Sequence, residues 1–131
     1  MANEGTTKTK NEKRGSITTR HLEGNIIESV YQGTIVFDGS LEEDLTRILR
    51  SHPNASWLVD ATNATGFDSS RRDNAGNVID IFRKAGGGAI AAVIPSGPLR
   101  MVASAISFGF DLRMKIFATR AEALAYLRTP K

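Results

Sequence analysis

WLVDATNATGFDSSRRDNAGNVIDIFRKAGGG, from Trp57 to Gly88, carries one of each kind of local signal that the chain uses. Trp57, Leu58 and Val59 are an apolar run of strand-type residues. Asp60 and the small polar residues after it close that run, and Asn63 and Gly66 favour a turn, which predicts a loop ending in Asp68-Ser69-Ser70. Ala75, Val78, Ile79, Phe82 and Ala85 then recur at helical spacing and lay one apolar stripe against a core. Gly86, Gly87 and Gly88 end the helix, because glycine takes the left-handed C-cap conformation without a side-chain clash. Asp68, Ser69 and Ser70 are left at a helix N-terminus, where backbone N–H groups lack intrahelical partners.

Upstream of this stretch, residues 16–22 and 26–36 each pattern as strands, and Glu23-Gly24-Asn25 is a tight turn joining them into a hairpin. Gly33 within the second strand points to a bulge or bend. Ser40-Leu41-Glu42-Glu43 has the form of a capping box with Ser40 as N-cap. Leu41, Leu45, Ile48 and Leu49 give that helix its buried face, and Pro53-Asn54 stops it.

Downstream, residues 89–94 are apolar throughout, as expected of a strand covered on both faces. Pro95-Ser96-Gly97-Pro98 turns the chain into a third helix with Leu99, Val102, Ala103, Ile106 and Phe110 inward. Residues 114–117 form a last strand, and Thr119 with Glu122 caps a closing helix whose Leu124 and Leu127 face the core. A hairpin, three helix–strand units and a final helix make an α/β domain with a mixed β-sheet and four α-helices, parallel wherever a helix crosses over.

At 131 residues the chain holds one proper core and not two. It has no cysteine, which excludes disulfides and thiolate metal sites. His21 and His52 lie far apart with no repeated ligand spacing, so no metal site is expected. No apolar run approaches a membrane span, and the N-terminal segment lacks the hydrophobic core of a secretory signal, so the expected location is cytoplasmic. The net charge of +3 resides in the first twenty residues, where Lys8, Lys10, Lys13, Arg14 and Arg20 outweigh Glu4 and Glu12. Residues 1–15 read as a disordered basic tail, too poor in apolar groups to order themselves, and residues 16–131 as the folded domain. Interleaved aromatics and zinc knuckles are missing, so nucleic acid is not the expected partner.

The element order, and above all LVDATNATGFDSS followed by an amphipathic helix and AGGG, resembles the STAS (sulfate transporter and anti-sigma factor antagonist) domain family. In that family a strand leads into an Asp-Ser-Ser-Gly motif at a helix N-terminus, a Gly-Gly pair follows the helix, and a strand, helix, strand and helix complete the fold. The resemblance spans about residues 16–128. It implies a STAS-like single domain of the anti-sigma factor antagonist kind: a bacterial, non-enzymatic module whose partner is an anti-sigma factor or a serine kinase. By motif position the phosphoacceptor candidates are Ser69 and Ser70. Asp68, Arg71, Arg72, Asn63 and Thr65 are the candidate partner-binding residues around them.

Arg71 stands where the family has glycine, and Arg72 follows it. The two arginines suit pairing with a phosphate at Ser69, and equally suit an acidic partner or anionic ligand without phosphorylation. A third reading leaves Asp68, Ser69 and Ser70 as plain helix caps. The alternative function is the small-ligand- or lipid-binding branch of the fold, with Leu99, Met101, Val102, Ile106, Phe108 and Phe110 lining a pocket. A weak homodimer through a strand edge or this apolar helix is also compatible with the pattern.

Catalytic readings fare worse. The glycine run follows a helix, whereas phosphate loops precede one. Asp60 has no acidic neighbour to hold a metal, and nothing in the sequence brings a histidine to Ser69 as a base. No cofactor is implied.

Overall fold

The computed structural model describes residues 15–36, 39–67, 72–94, 97–109 and 114–129, with the backbone alone at 67, 72–75, 102 and 106–109. Ser16–Glu23 (β1) and Ile26–Ile35 (β2) form an antiparallel hairpin around Gly24-Asn25. Gly24 has φ 46°, a turn conformation that glycine adopts without strain. The chain continues as Ser40–Ser51 (α1), Ser56–Phe67 (β3), Arg72–Lys84 (α2), Ile90–Val93 (β4), Gly97–Gly109 (α3), Met114–Phe117 (β5) and Arg120–Arg128 (α4). The five strands lie in the order β1-β2-β3-β4-β5, and each neighbouring pair after the hairpin is parallel. This is the mixed sheet predicted from the pattern of hairpin and crossovers.

Alternation along the strands divides the core into two layers. Ile27, Tyr31, Trp57, Ala61, Ile90 and Ala92 face one side, where Leu41, Leu45, Ile48 and Leu49 of α1, Val78 and Phe82 of α2 and Leu99 of α3 close over them. Ile26, Leu58, Ala91 and Val93 face the other side, which Ala123 and Leu127 of α4 cover. Residues 90–94 are buried without exception, the burial expected of a strand covered on both faces.

Trp57 ties the first layer together. Its ring lies 5.4 Å from that of Phe82, and its Nε1–H donates to Ser29 Oγ at 2.9 Å. Ser29 Oγ is in turn 2.9 Å from Thr19 Oγ1, so the buried indole and both hydroxyls are satisfied together.

The glycine stop of α2 is a Schellman motif. Gly87 N–H donates to Phe82 O at 3.0 Å and Gly86 N–H to Arg83 O at 2.9 Å, with Gly86 at φ 78°. A Cβ on Gly87 would run into the Phe82 ring, and one on Gly86 would meet Asn54 Oδ1. At α4, Thr119 Oγ1 accepts from Glu122 N–H at 3.3 Å and donates to Glu122 Oε1 at 2.9 Å, so the predicted cap forms.

Two expectations need correction. The N-cap of α1 is Gly39 at φ 98°, with no side-chain cap bond, and Ser40 is already helical. The capping box is therefore not made, and Glu43 contributes its backbone N–H to Gly39 O instead. The second correction concerns residues 61–67. They do not form a loop after Asp60 but continue β3 to Phe67, because β2 supplies backbone partners along their length.

Candidate functional site at the end of strand β3

The polar half of β3 pairs with β2 in a shifted register. Val30 lies opposite Asp60, Gln32 opposite Asn63, and Thr34 opposite Gly66, so β3 carries an extra residue in each interval. A strict two-residue period would send Ala61 and Ala64 to opposite faces. The first bulge lets both pack on the layer beneath α1 and α2. Asp60 stabilises the bulge locally: its Oδ1 accepts from Thr62 N–H at 3.0 Å and from Thr62 Oγ1–H at 2.6 Å. Gly33, with φ 73°, falls at the second shift, which is the irregularity its position predicts.

This geometry leaves Thr62, Asn63 and Thr65 exposed on the terminal part of β3. Gln32, also exposed and opposite Asn63, belongs to the same surface. Sequence reading missed it because it depends on register rather than on motif. The surface lies at the carboxyl edge of the parallel strands. There β3 ends at Phe67 and α2 begins at Arg72, while β2 ends at Ile35 and α1 begins at Ser40. The chain also enters at this edge, where Gly15 (φ 73°) packs so closely on Gln32 O that no Cβ fits.

Of the candidate residues, Asn63 and Thr65 are thus brought together on one strand end leading toward α2. Arg72 is the first residue of α2, described by its backbone alone. Asp68, Ser69, Ser70 and Arg71 lie outside the described residues. Among the described residues no group of three or more His, Asp or Glu side chains is placed to hold a metal ion.

No family model matches the sequence, and no curated protein does. Solved structures match over most of its length. The anti-sigma factor antagonist SpoIIAA in its unphosphorylated form has a TM-score of 0.62 at 15% identity, with 88% of this chain and 100% of that one covered. The chain has a SpoIIAA-like fold. An anti-sigma factor antagonist from Mycobacterium paratuberculosis aligns with a TM-score of 0.57 at 17% identity, covering 87% of this chain and 96% of that one. An uncharacterised protein of SpoIIAA-like fold from Shewanella loihica PV-4 gives 0.57 at 16%, covering 86% and 93%. What the SpoIIAA-like domain shares with these proteins is architecture, as their low identities make plain. Among its described residues, no helix is long and apolar enough to cross a membrane.

Proposed function

We propose that this domain is a non-enzymatic regulatory protein–protein interaction module of the anti-sigma factor antagonist kind, located in the cytoplasm of a bacterium. Its partner is an anti-sigma factor or a serine kinase, and Ser69, with Ser70 beside it, is the phosphoacceptor. One observation carries the reading. In the SpoIIAA-like sheet, β3 exposes Asn63 and Thr65 just before it ends at Phe67, α2 begins at Arg72, and the four residues between them in the sequence spell Asp-Ser-Ser-Arg. Two of the similar structures are anti-sigma factor antagonists, one of them specified as unphosphorylated.

The physics of such a switch is direct. A phosphoserine adds nearly two negative charges, and a helix start accommodates them without unfolding the domain. At an interface the same dianion is costly to bury and repels acidic groups, so phosphorylation releases a partner held by the unmodified surface. Arg71 and Arg72 supply counter-charge in place of the glycine usual in this motif.

The test is intact-mass and fragmentation analysis of the protein from its own host, followed by quantitative partner capture. Phosphate at Ser69 is expected. Ser69→Ala should hold the partner and Ser69→Asp should bind it about tenfold or more weakly, about 1.4 kcal/mol. Identical capture by both variants would remove the switch.

A second reading, ligand binding along α3, is favoured by Met101, which is 76% exposed on a helix whose one charged residue is Arg100. Arg100 is folded back, its Nε–H donating to Ile94 O at 2.6 Å. Co-purified ligand in native mass spectrometry would support that reading over the first.

A further inference from the structure

The outer surface of α1 carries its charges in order. Glu43, Thr46, Arg47 and Arg50 are spaced i, i+3, i+4 and i+7, so they form one stripe along the helix. Glu42 flanks its acidic end, and together with Ile81 of α2 these residues line an open groove between the two helices. The stripe is acidic toward the N-terminus of α1 and basic toward the C-terminus, with Glu43 and Arg50 about 10 Å apart along the axis. Both helices run back from the carboxyl to the amino end of the parallel strands on one face of the sheet, so they are parallel. On α2 the order repeats, with exposed Asp80 ahead of Arg83 and Lys84.

Among the described residues Arg47 is paired with Asp44, Nη2 to Oδ1 at 3.0 Å, and no ion pair engages Glu42, Glu43 or Arg50. Thr46 Oγ1–H donates to Glu42 O at 2.8 Å, so the neutral middle of the stripe is satisfied within the helix. Ile81, half-buried, adds an apolar group to the groove. An occupant has to set a base against Glu43, an acid against Arg50 and no net charge at the centre. A second copy of the stripe, turned end for end, meets all three conditions. A two-fold axis beside Thr46 places Glu43 of each copy opposite Arg50 of the other. The residues nearest that axis approach their own copies, which is tolerable because Thr46 is neutral and Asp44 offsets Arg47. A copy docked in the same direction would set like charge against like.

We propose that this face of α1, with Ile81 of α2, is a self-association surface on which two copies of the chain pair with their α1 helices antiparallel. It is neither the strand edge nor α3, and it does not depend on Ser69 or on the exposed end of β3. The contact consists of exposed ion pairs around a small apolar centre, so it is weak and weakens further in salt.

The test is sedimentation velocity of the full chain up to about 1 mM at low salt, alongside Glu43→Arg and Arg50→Glu. The parent should show a monomer–dimer equilibrium that moves toward monomer as salt is raised. Each variant alone should dimerise about tenfold or more weakly, since the symmetry puts two like-charged contacts into every dimer. An equimolar mixture of the two variants should dimerise as well as the parent, because an all-basic stripe then meets an all-acidic one. Both positions are exposed, and urea unfolding monitored at Trp57 checks that each variant is folded. A parent that stays monomeric, variants that dimerise like the parent, or a mixture as weak as its components would each overturn the proposal.

Discussion

Glu28 lies beneath α4 at 1% exposure with a guanidinium at each carboxylate oxygen, Arg20 Nε at 3.1 Å and Arg120 Nη2 at 2.6 Å. Such a charge is tolerated inside the protein only because both oxygens are paired. Glu28→Ala should destabilise the domain by about 3–5 kcal/mol, since it strands partly buried arginine. Urea denaturation monitored at Trp57 measures it, and a change below about 1 kcal/mol would mean that the pair contributes no more than a surface contact. Gly87 is a second such position. Its absent side chain is what lets the Phe82 ring lie against the Schellman turn, and Gly87→Ala should cost about 1–3 kcal/mol through overpacking. The same measurement on Gly24→Ala, at a turn with open space, isolates the milder cost of positive φ.

At the scale of elements, α4 is short, and its hold on the sheet is distributed. Ala123 and Leu127 supply the apolar contact, Thr119 the cap, and ion pairs fix both ends. At the C-terminal end Arg128 reaches Glu23 through Nε at 3.0 Å and Nη2 at 2.5 Å. The hydrogen bonds from Arg128 hold the Glu23 carboxyl below its ordinary value of 4.5, and the same contact raises Arg128. Because the folded value is depressed, this pair stabilises the domain above the ordinary carboxylate value and the contribution is lost as pH falls through the folded one. Exchange of the α4 amides should therefore accelerate below about pH 4.5 in the parent and lose that component in Glu23→Gln. The pair is solvent-exposed, so the effect should also shrink in high salt. Identical profiles in parent and variant would assign the acid sensitivity elsewhere.

For the molecule as a whole, the two faces of the sheet are protected unequally. Among the described residues, three helices close one face, and α4 is the helix that covers Leu58, Ala91 and Val93 on the other. A chain ending at Ala118 should lose cooperative urea unfolding and aggregate, because it exposes a contiguous apolar strip on the central strands. Retention of a single sharp transition would show that α4 is peripheral. The proposed interaction surface lies at the carboxyl edge of the parallel strands.

The element order was legible because its signals are local: the Gly24 turn, the helical stripe ending in Phe82, the glycine stop and the Thr119 cap each act within a few residues. The same locality explains the misreadings. Thr62, Asn63, Thr65 and Gly66 have loop composition, yet β2 offers them a ladder, and the first of two bulges keeps both Ala61 and Ala64 inward. Ser40 has the chemistry of a cap, but Gly39 reaches the left-handed backbone that the entry to α1 takes here. Of the candidate site, the motif was readable, and the structure adds the exposed strand end with Gln32 opposite Asn63.

The sequence by itself determined the α/β class, the hairpin and the succession of crossovers, since propensity and apolar period are properties of neighbouring residues. Tertiary structure alone decided that Glu28 is buried between arginines from β1 and α4, and that the rings of His21 on β1 and His52 at the end of α1 stack with centroids 3.9 Å apart. Those contacts join elements distant along the chain, and only the register of the sheet and the packing of helices on its two faces bring them within reach.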